Sequence, residues 1–218
     1  MTGPSQSDQT AWTEAVSRVH LSFGELHFHC CRAAFGAGLP WGLAEDAAQA
    51  AVWLAQRGHD PAPMLAPALR HLADRTVSTC LKHERTGATL VLAADGATRV
   101  SALAAGPSAA DWWQVVKHDP AARLVVRHVD VPGWVSACIA ARTGDLETGA
   151  LQAVTPGEVA ITADLAGDWR QDVSPTATFA TVGRDSWGIV QECFRLSLVA
   201  STDASRSAGA GAGLVDTD

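Results

Sequence analysis

Residues 22–57 read SFGELHFHCCRAAFGAGLPWGLAEDAAQAAVWLAQR, and the organisation of the chain follows from them. Ser22 followed three residues later by Glu25 makes a capping box, in which each side chain satisfies a backbone donor at a helix start. Leu26 to Ala34 continue in helix-compatible residues. Gly36-Ala37-Gly38 ends that helix, because glycine accepts the left-handed backbone of a carboxyl-terminal cap, and Pro40 suits the first turn of a second helix. There Leu43, Ala47, Ala50, Ala51 and Leu54 recur at helical spacing, and Gly58 closes the element. A tight helix-turn-helix is predicted.

Working outward, Met64, Leu65, Ala68, Leu69 and Leu72 predict a third helix after the stiff Pro61 and Pro63, provided Pro67 falls in its first turn. The pattern then changes. Thr89–Leu92 and Thr98–Leu103 flank Asp95-Gly96, a hairpin signal. Leu124–Val129, Trp134–Ala140, Ala150–Val154 and Val159–Ala163 are short apolar runs separated by Pro, Gly and Asp, which predicts strands of a largely antiparallel sheet rather than regular βαβ units. Asp111–Lys117 is expected as a short helix between strands. Val190, Phe194 and Leu198 predict a last helix from Ser186 to about Val199, with Asp185 as its cap.

The fold class expected is α+β: a helical amino-terminal third packed on a largely antiparallel sheet, then a final helix and a glycine-rich tail. Residues 1–20 are expected as a flexible start, 21–200 as a single domain and 201–218 as the tail.

Composition narrows the functions. Apolar residues make up 47% and charged residues 18%, which is ordinary globular usage. The net charge of −7 arises from 23 acidic against 16 basic residues, with no basic stripe for a phosphate backbone, so nucleic acid is not expected as a partner. No apolar run approaches a membrane span, and the polar start carries no signal pattern; a cytoplasmic location is expected. Five cysteines without a C-x-x-C pair suit reduced thiols packed in the core.

The carboxyl-terminal SRSAGAGAGLVDTD, Ser205–Asp218, is the sharpest site candidate. Gly209, Gly211 and Gly213 would let successive N–H groups converge on an anion, and Ser205-Arg206 offers a guanidinium fork for a carboxylate or phosphate. Asp216 and Asp218 are weaker candidates for a hard cation. A loose, solvated end is the competing explanation. Gly36, Gly38 and Trp41 form the second candidate: glycine permits close approach and Trp41 would cover a ligand face, against the alternative of a helix cap and packing corner. His27 and Cys31 share a helical face, yet two local ligands fall short of a zinc site. His59-Asp60, His118-Asp119 and His128-x-Asp130 place imidazoles near carboxylates without a recognisable catalytic pattern. The Trp112-Trp113 pair is expected to bury one ring and leave the other at a rim.

Phe35–Arg57 and the Ser22-x-x-Glu25 start resemble the amino-terminal signature of the uncharacterised bacterial family "domain of unknown function 3726", and Ser205–Asp218 resembles that family's ending. The family's ending carries a Tyr and Pro shortly before the serine, whereas this chain has no Tyr and reads Leu198-Val199-Ala200-Ser201. The resemblance therefore implies no role for a phenol, and it carries no activity to transfer. Two signatures at opposite ends suggest one shared site. The first expectation is a cytosolic enzyme or enzyme component that binds a small carboxylate- or amide-bearing metabolite. The alternative is a non-catalytic subunit or interaction module, homo-oligomeric or docked on a partner protein through its tail. A weaker alternative is an oxidoreductase similar to the non-Rossmann malate/lactate dehydrogenases, but Gly58-His59-Asp60-Pro61-Ala62 lacks that family's Ser-His-Gly. No cofactor is indicated.

Overall fold

A computed structural model describes residues 17–96, 98–116, 118–119, 121–144, 158–162 and 177–198. In chain order the elements are β1 (Arg18–Leu21), α1 (Phe23–Gly36), α2 (Trp41–Gln56), α3 (Ala62–Ala73), β2 (Lys82–Thr86), β3 (Thr89–Ala93), α4 (Ala102–Val116), β4 (Arg123–Arg127), α5 (Pro132–Thr143), β5 (Glu158–Thr162), β6 (Ala180–Gly183) and α6 (Arg184–Leu196). The fold class is α+β, as expected. β1 begins at Arg18, so the boundary expected at residue 20 falls inside a strand.

The helix-turn-helix forms as its sequence dictates. The Ser22 hydroxyl accepts from the Glu25 N–H at 3.2 Å, and the Glu25 carboxylate accepts from the Ser22 N–H at 2.8 Å, completing the capping box. α1 then closes in a Schellman motif: Leu39 N–H donates to the Ala34 carbonyl and Gly38 N–H to that of Phe35. Gly38 takes the positive φ of 105° that this motif requires. α2 ends the same way, with Gly58 at φ 78° and His59 N–H on the Leu54 carbonyl. α3 repeats the motif through Thr76 N–H on the His71 carbonyl, but its left-handed position is Arg75 at φ 55°, which strains an ordinary residue by about 1–2 kcal/mol. Pro67 lies inside α3 rather than in its first turn.

Four strands pair in the order β2-β3-β4-β5 and two more, β1 and β6, form a separate antiparallel pair. Every strand pair is antiparallel except β3 with β4. Those two run parallel because α4 carries the chain between them, so one βαβ unit is present where none was expected. The hairpin is also displaced. It joins β2 to β3 through Gly87-Ala88, where Gly87 alone has positive φ (60°), the pattern of a type II′ turn. Asp95-Gly96 lies beyond β3, and Asp95 instead pairs with Lys82 across the hairpin.

One apolar run expected as a strand is helical: Trp134–Ala140 lies in α5. Thr98–Leu103 is divided: Val100 makes parallel bridges to Ser78 and Val129, and α4 starts at Ala102 and takes in Asp111–Val116 of the short helix expected over Asp111–Lys117. β4 and β5 fall where strands were expected, while Ala150–Val154 lies outside the described residues. The last helix starts at Gly183 as its cap, with Asp185 in its first turn. α4 and α5 pack on each other and touch the larger sheet, α2 packs against both of them and α1, and α6 rests on α1 and α3. α2 is buried on most of its circumference, and its alanines at 44, 47, 48, 50, 51 and 55 allow neighbours to approach on several sides.

Candidate functional site

The Gly36-Ala37-Gly38 turn sits where α1, the end of α3 and the end of α6 meet. A Cβ placed on Gly36 would lie 2.2 Å from the Cys193 carbonyl oxygen and 2.8 Å from the Ser197 nitrogen, so Gly36 is what lets α6 lie against α1. Arg32, one turn earlier, donates from Nη2 to the Ser197 carbonyl at 3.2 Å. Trp41 is 45% exposed and meets Phe35 edge to face with ring centroids 5.5 Å apart.

Beside this turn opens a groove of about 400 Å³, lined among others by Gly36, Gly38, Leu72, Arg75, Thr79 and Leu196. That volume suits a small metabolite. Arg75 is exposed and has no ion-pair partner among the described residues. The N–H groups of Ala37, Gly38 and Leu39 are all spent on α1 carbonyls. The turn therefore shapes the groove, and the polar side chains that line it are those of Arg75 and Thr79. The chain leaves α6 at the edge of the same groove. Ser205, Arg206, Gly209, Gly211, Gly213, Asp216 and Asp218 lie outside the described residues.

A second polar centre escaped the sequence. Asp130, its side chain fully buried, accepts at Oδ1 from the N–H groups of Ala102 (2.7 Å) and Val131 (2.8 Å), and its Oδ2 lies 3.1 Å from His71 Nδ1. A carboxylate only accepts, so His71 Nδ1 carries the proton. One acid thus caps the amino terminus of α4, starts α5 and fastens α3. Asp130 pairs with His71 rather than with His128, the partner its sequence spacing suggested. Asp60 likewise serves the backbone, accepting from Ala62 N–H (2.8 Å) and Gly183 N–H (2.7 Å). Asp119 accepts from Ala121 N–H at 2.9 Å. The buried Ser101 hydroxyl has no hydrogen-bond partner among the described residues.

The remaining candidates resolve simply. No group of His, Cys, Asp and Glu among the described residues is arranged to hold a metal ion, and Cys31 is buried. Cys30, Cys138 and Cys193 are also buried, but Cys80 is exposed, against the expectation that every thiol would be packed. Burial pushes the Cys30 and Cys138 thiols far above the ordinary range, with Cys31 adding to the first effect and Asp46 to the second. Trp113 is buried and Trp112 lies at its rim, as expected of the pair. Among the described residues no helix is long and apolar enough to cross a membrane.

No curated protein matches this chain. Residues 21–100, from the end of β1 through the two capped helices, α3 and the β2-β3 hairpin, match the model of an uncharacterised domain family described as "Protein of unknown function (DUF3726)".

Proposed function

We propose that the groove between the Gly36-Gly38 turn and Arg75 binds a small carboxylate- or amide-bearing metabolite, as part of a bacterial cytoplasmic enzyme or enzyme component. The observation that carries this reading is an exposed arginine, without an ion-pair partner among the described residues, lining a metabolite-sized groove at the point where the chain leaves α6. Arg75 takes the ligand carboxylate, in a paired fork where geometry allows, and Thr79 supplies a hydroxyl. Leu72 and Leu196 form the apolar side. The following segment, with Ser205, Arg206 and the glycines at 209, 211 and 213, closes the groove over the ligand. Its glycines allow backbone N–H groups to approach a second anionic or carbonyl oxygen.

The test is calorimetric titration with a panel of small mono- and dicarboxylates and their amides, comparing the parent chain with Arg75→Gln. Arg85→Gln, on the exposed strand β2, is the control. A charged hydrogen bond contributes about 1.5–3 kcal/mol, so Arg75→Gln is expected to weaken binding roughly 10- to 100-fold while Arg85→Gln leaves it unchanged. Equal binding by parent and Arg75→Gln, or no binding to any member of the panel, overturns the reading.

A further inference from the structure

Phe28, Arg32 and Phe35 stand at positions i, i+4 and i+7 of α1 and form one stripe along that helix. The two phenylalanines are 54% and 44% exposed, and Leu198, where the described chain ends, is 52% exposed. The end of α6 lies against this stripe: Phe28 meets Phe194 with ring centroids 5.8 Å apart, and Arg32 holds the Ser197 carbonyl. The Arg32 Nε–H is buried with no acceptor among the described residues. Such an orphaned donor costs about 1–3 kcal/mol. An exposed apolar stripe with a thirsty cation at its centre calls for a covering segment that offers apolar surface and an acid within a few residues.

We infer that this occupant is the chain's own Leu214-Val215-Asp216, with Leu214 on one of the two phenyl rings and Asp216 on Arg32. After α6, this is the first place where two apolar residues are followed directly by an acid. In an extended segment Leu214 and Asp216 face the same side about 6.6–6.8 Å apart, close to the roughly 5–6 Å between neighbours on a helix face. Reach is ample. The sixteen-residue step from Leu198 to Leu214 spans at most about 53–58 Å, whereas the fourteen residues of α1 extend only about 21 Å. Ser201–Gly213 consists mostly of Ala, Gly and Ser, which let a chain lie close to a helix surface. Docking needs no metabolite, so it stands or falls separately from ligand binding at Arg75.

The experiment uses the full chain without added ligand, as parent, Leu214→Asp and Asp216→Lys. All substitutions lie far along the chain from the packed helices and leave the core intact. Amide hydrogen exchange over 213–216 is expected to be about tenfold slower in the parent than in Asp216→Lys. Anilinonaphthalene sulfonate emission, which reports open apolar surface, is expected to rise several-fold in Leu214→Asp, with all three chains monomeric by light scattering. Identical exchange and dye emission in the three chains overturns the inference. So does a parent dimer whose stripe stays closed to dye in Leu214→Asp, which assigns the stripe to a second copy.

Discussion

Replacing Gly36 by alanine tests the helix contact on which the groove is built. On intrinsic grounds the change should help, since alanine is favoured over glycine in a helix by about 0.8–1 kcal/mol. The packing opposes it. The new methyl would stand 2.2 Å from the Cys193 carbonyl oxygen, more than about 1 Å inside the roughly 3.3–3.6 Å of a close carbon-oxygen contact. The obstacle is backbone in the last turns of α6, which a side-chain rotation does not relieve. Overpacking of this kind costs about 1–3 kcal/mol and occasionally more. With the severe overlap placing Gly36→Ala at the upper end, the net loss is about 2 kcal/mol. In a chain of this size that lowers Tm by roughly 4–8 °C. Gly42→Ala is the matched control, because its Cβ would meet nothing within 4 Å; it should gain about 0.5–1 kcal/mol. Thermal unfolding of the two variants beside the parent decides the matter. A Gly36→Ala protein as stable as the parent would refute the close approach of α6 to α1.

Three further outcomes are expected. Asp130→Ala leaves the Ala102 and Val131 N–H groups without their acceptor and frees the partly exposed His71 ring, and should lose about 1–3 kcal/mol in urea unfolding. Ser22→Ala removes the cap of α1 and should lose about 1 kcal/mol by the same assay. Hydrogen bonds from the Ser22 N–H and hydroxyl hold the Glu25 carboxyl below its ordinary value, so this contribution is complete above the ordinary carboxyl range and disappears as pH falls through the lowered value; the stability difference between parent and Ser22→Ala should therefore shrink in acid. Under native conditions a thiol reagent should titrate one cysteine, Cys80, quickly, and the other four only on unfolding.

The parts of the fold legible in the sequence are those whose signals are local. Ser22, Glu25, Gly38 and Gly58 each sit within a few residues of the groups they cap, so α1 and α2 follow from adjacent residues. α4 shows no comparable start, because its cap is Asp130, 28 residues further on. With Gly106-Pro107 in its middle, the segment reads as broken. Gly106 is there for another reason: a Cβ would lie 2.5 Å from Cys138 Sγ, so glycine lets α4 and α5 close on each other. α5 carried one readable sign, Pro132 in its first turn, which the apolar run behind it obscured. For the candidate site, Gly36 and Gly38 were legible as special positions, although their physical roles are close packing and a left-handed cap. Arg75 was not, since only the folding of α3 against α1 and α6 brings an otherwise ordinary surface arginine to the groove.

The most direct measurement is amide chemical-shift mapping of the full chain as a small carboxylate is titrated in. The groove reading predicts that shifts concentrate at Gly38, Arg75 and Thr79 and in residues 205–213, and that Arg75→Gln needs roughly 10- to 100-fold more ligand to produce them. Shifts gathered instead around the Asp46, Cys138 and Arg142 depression between α2 and α5, or none with any carboxylate, would contradict it.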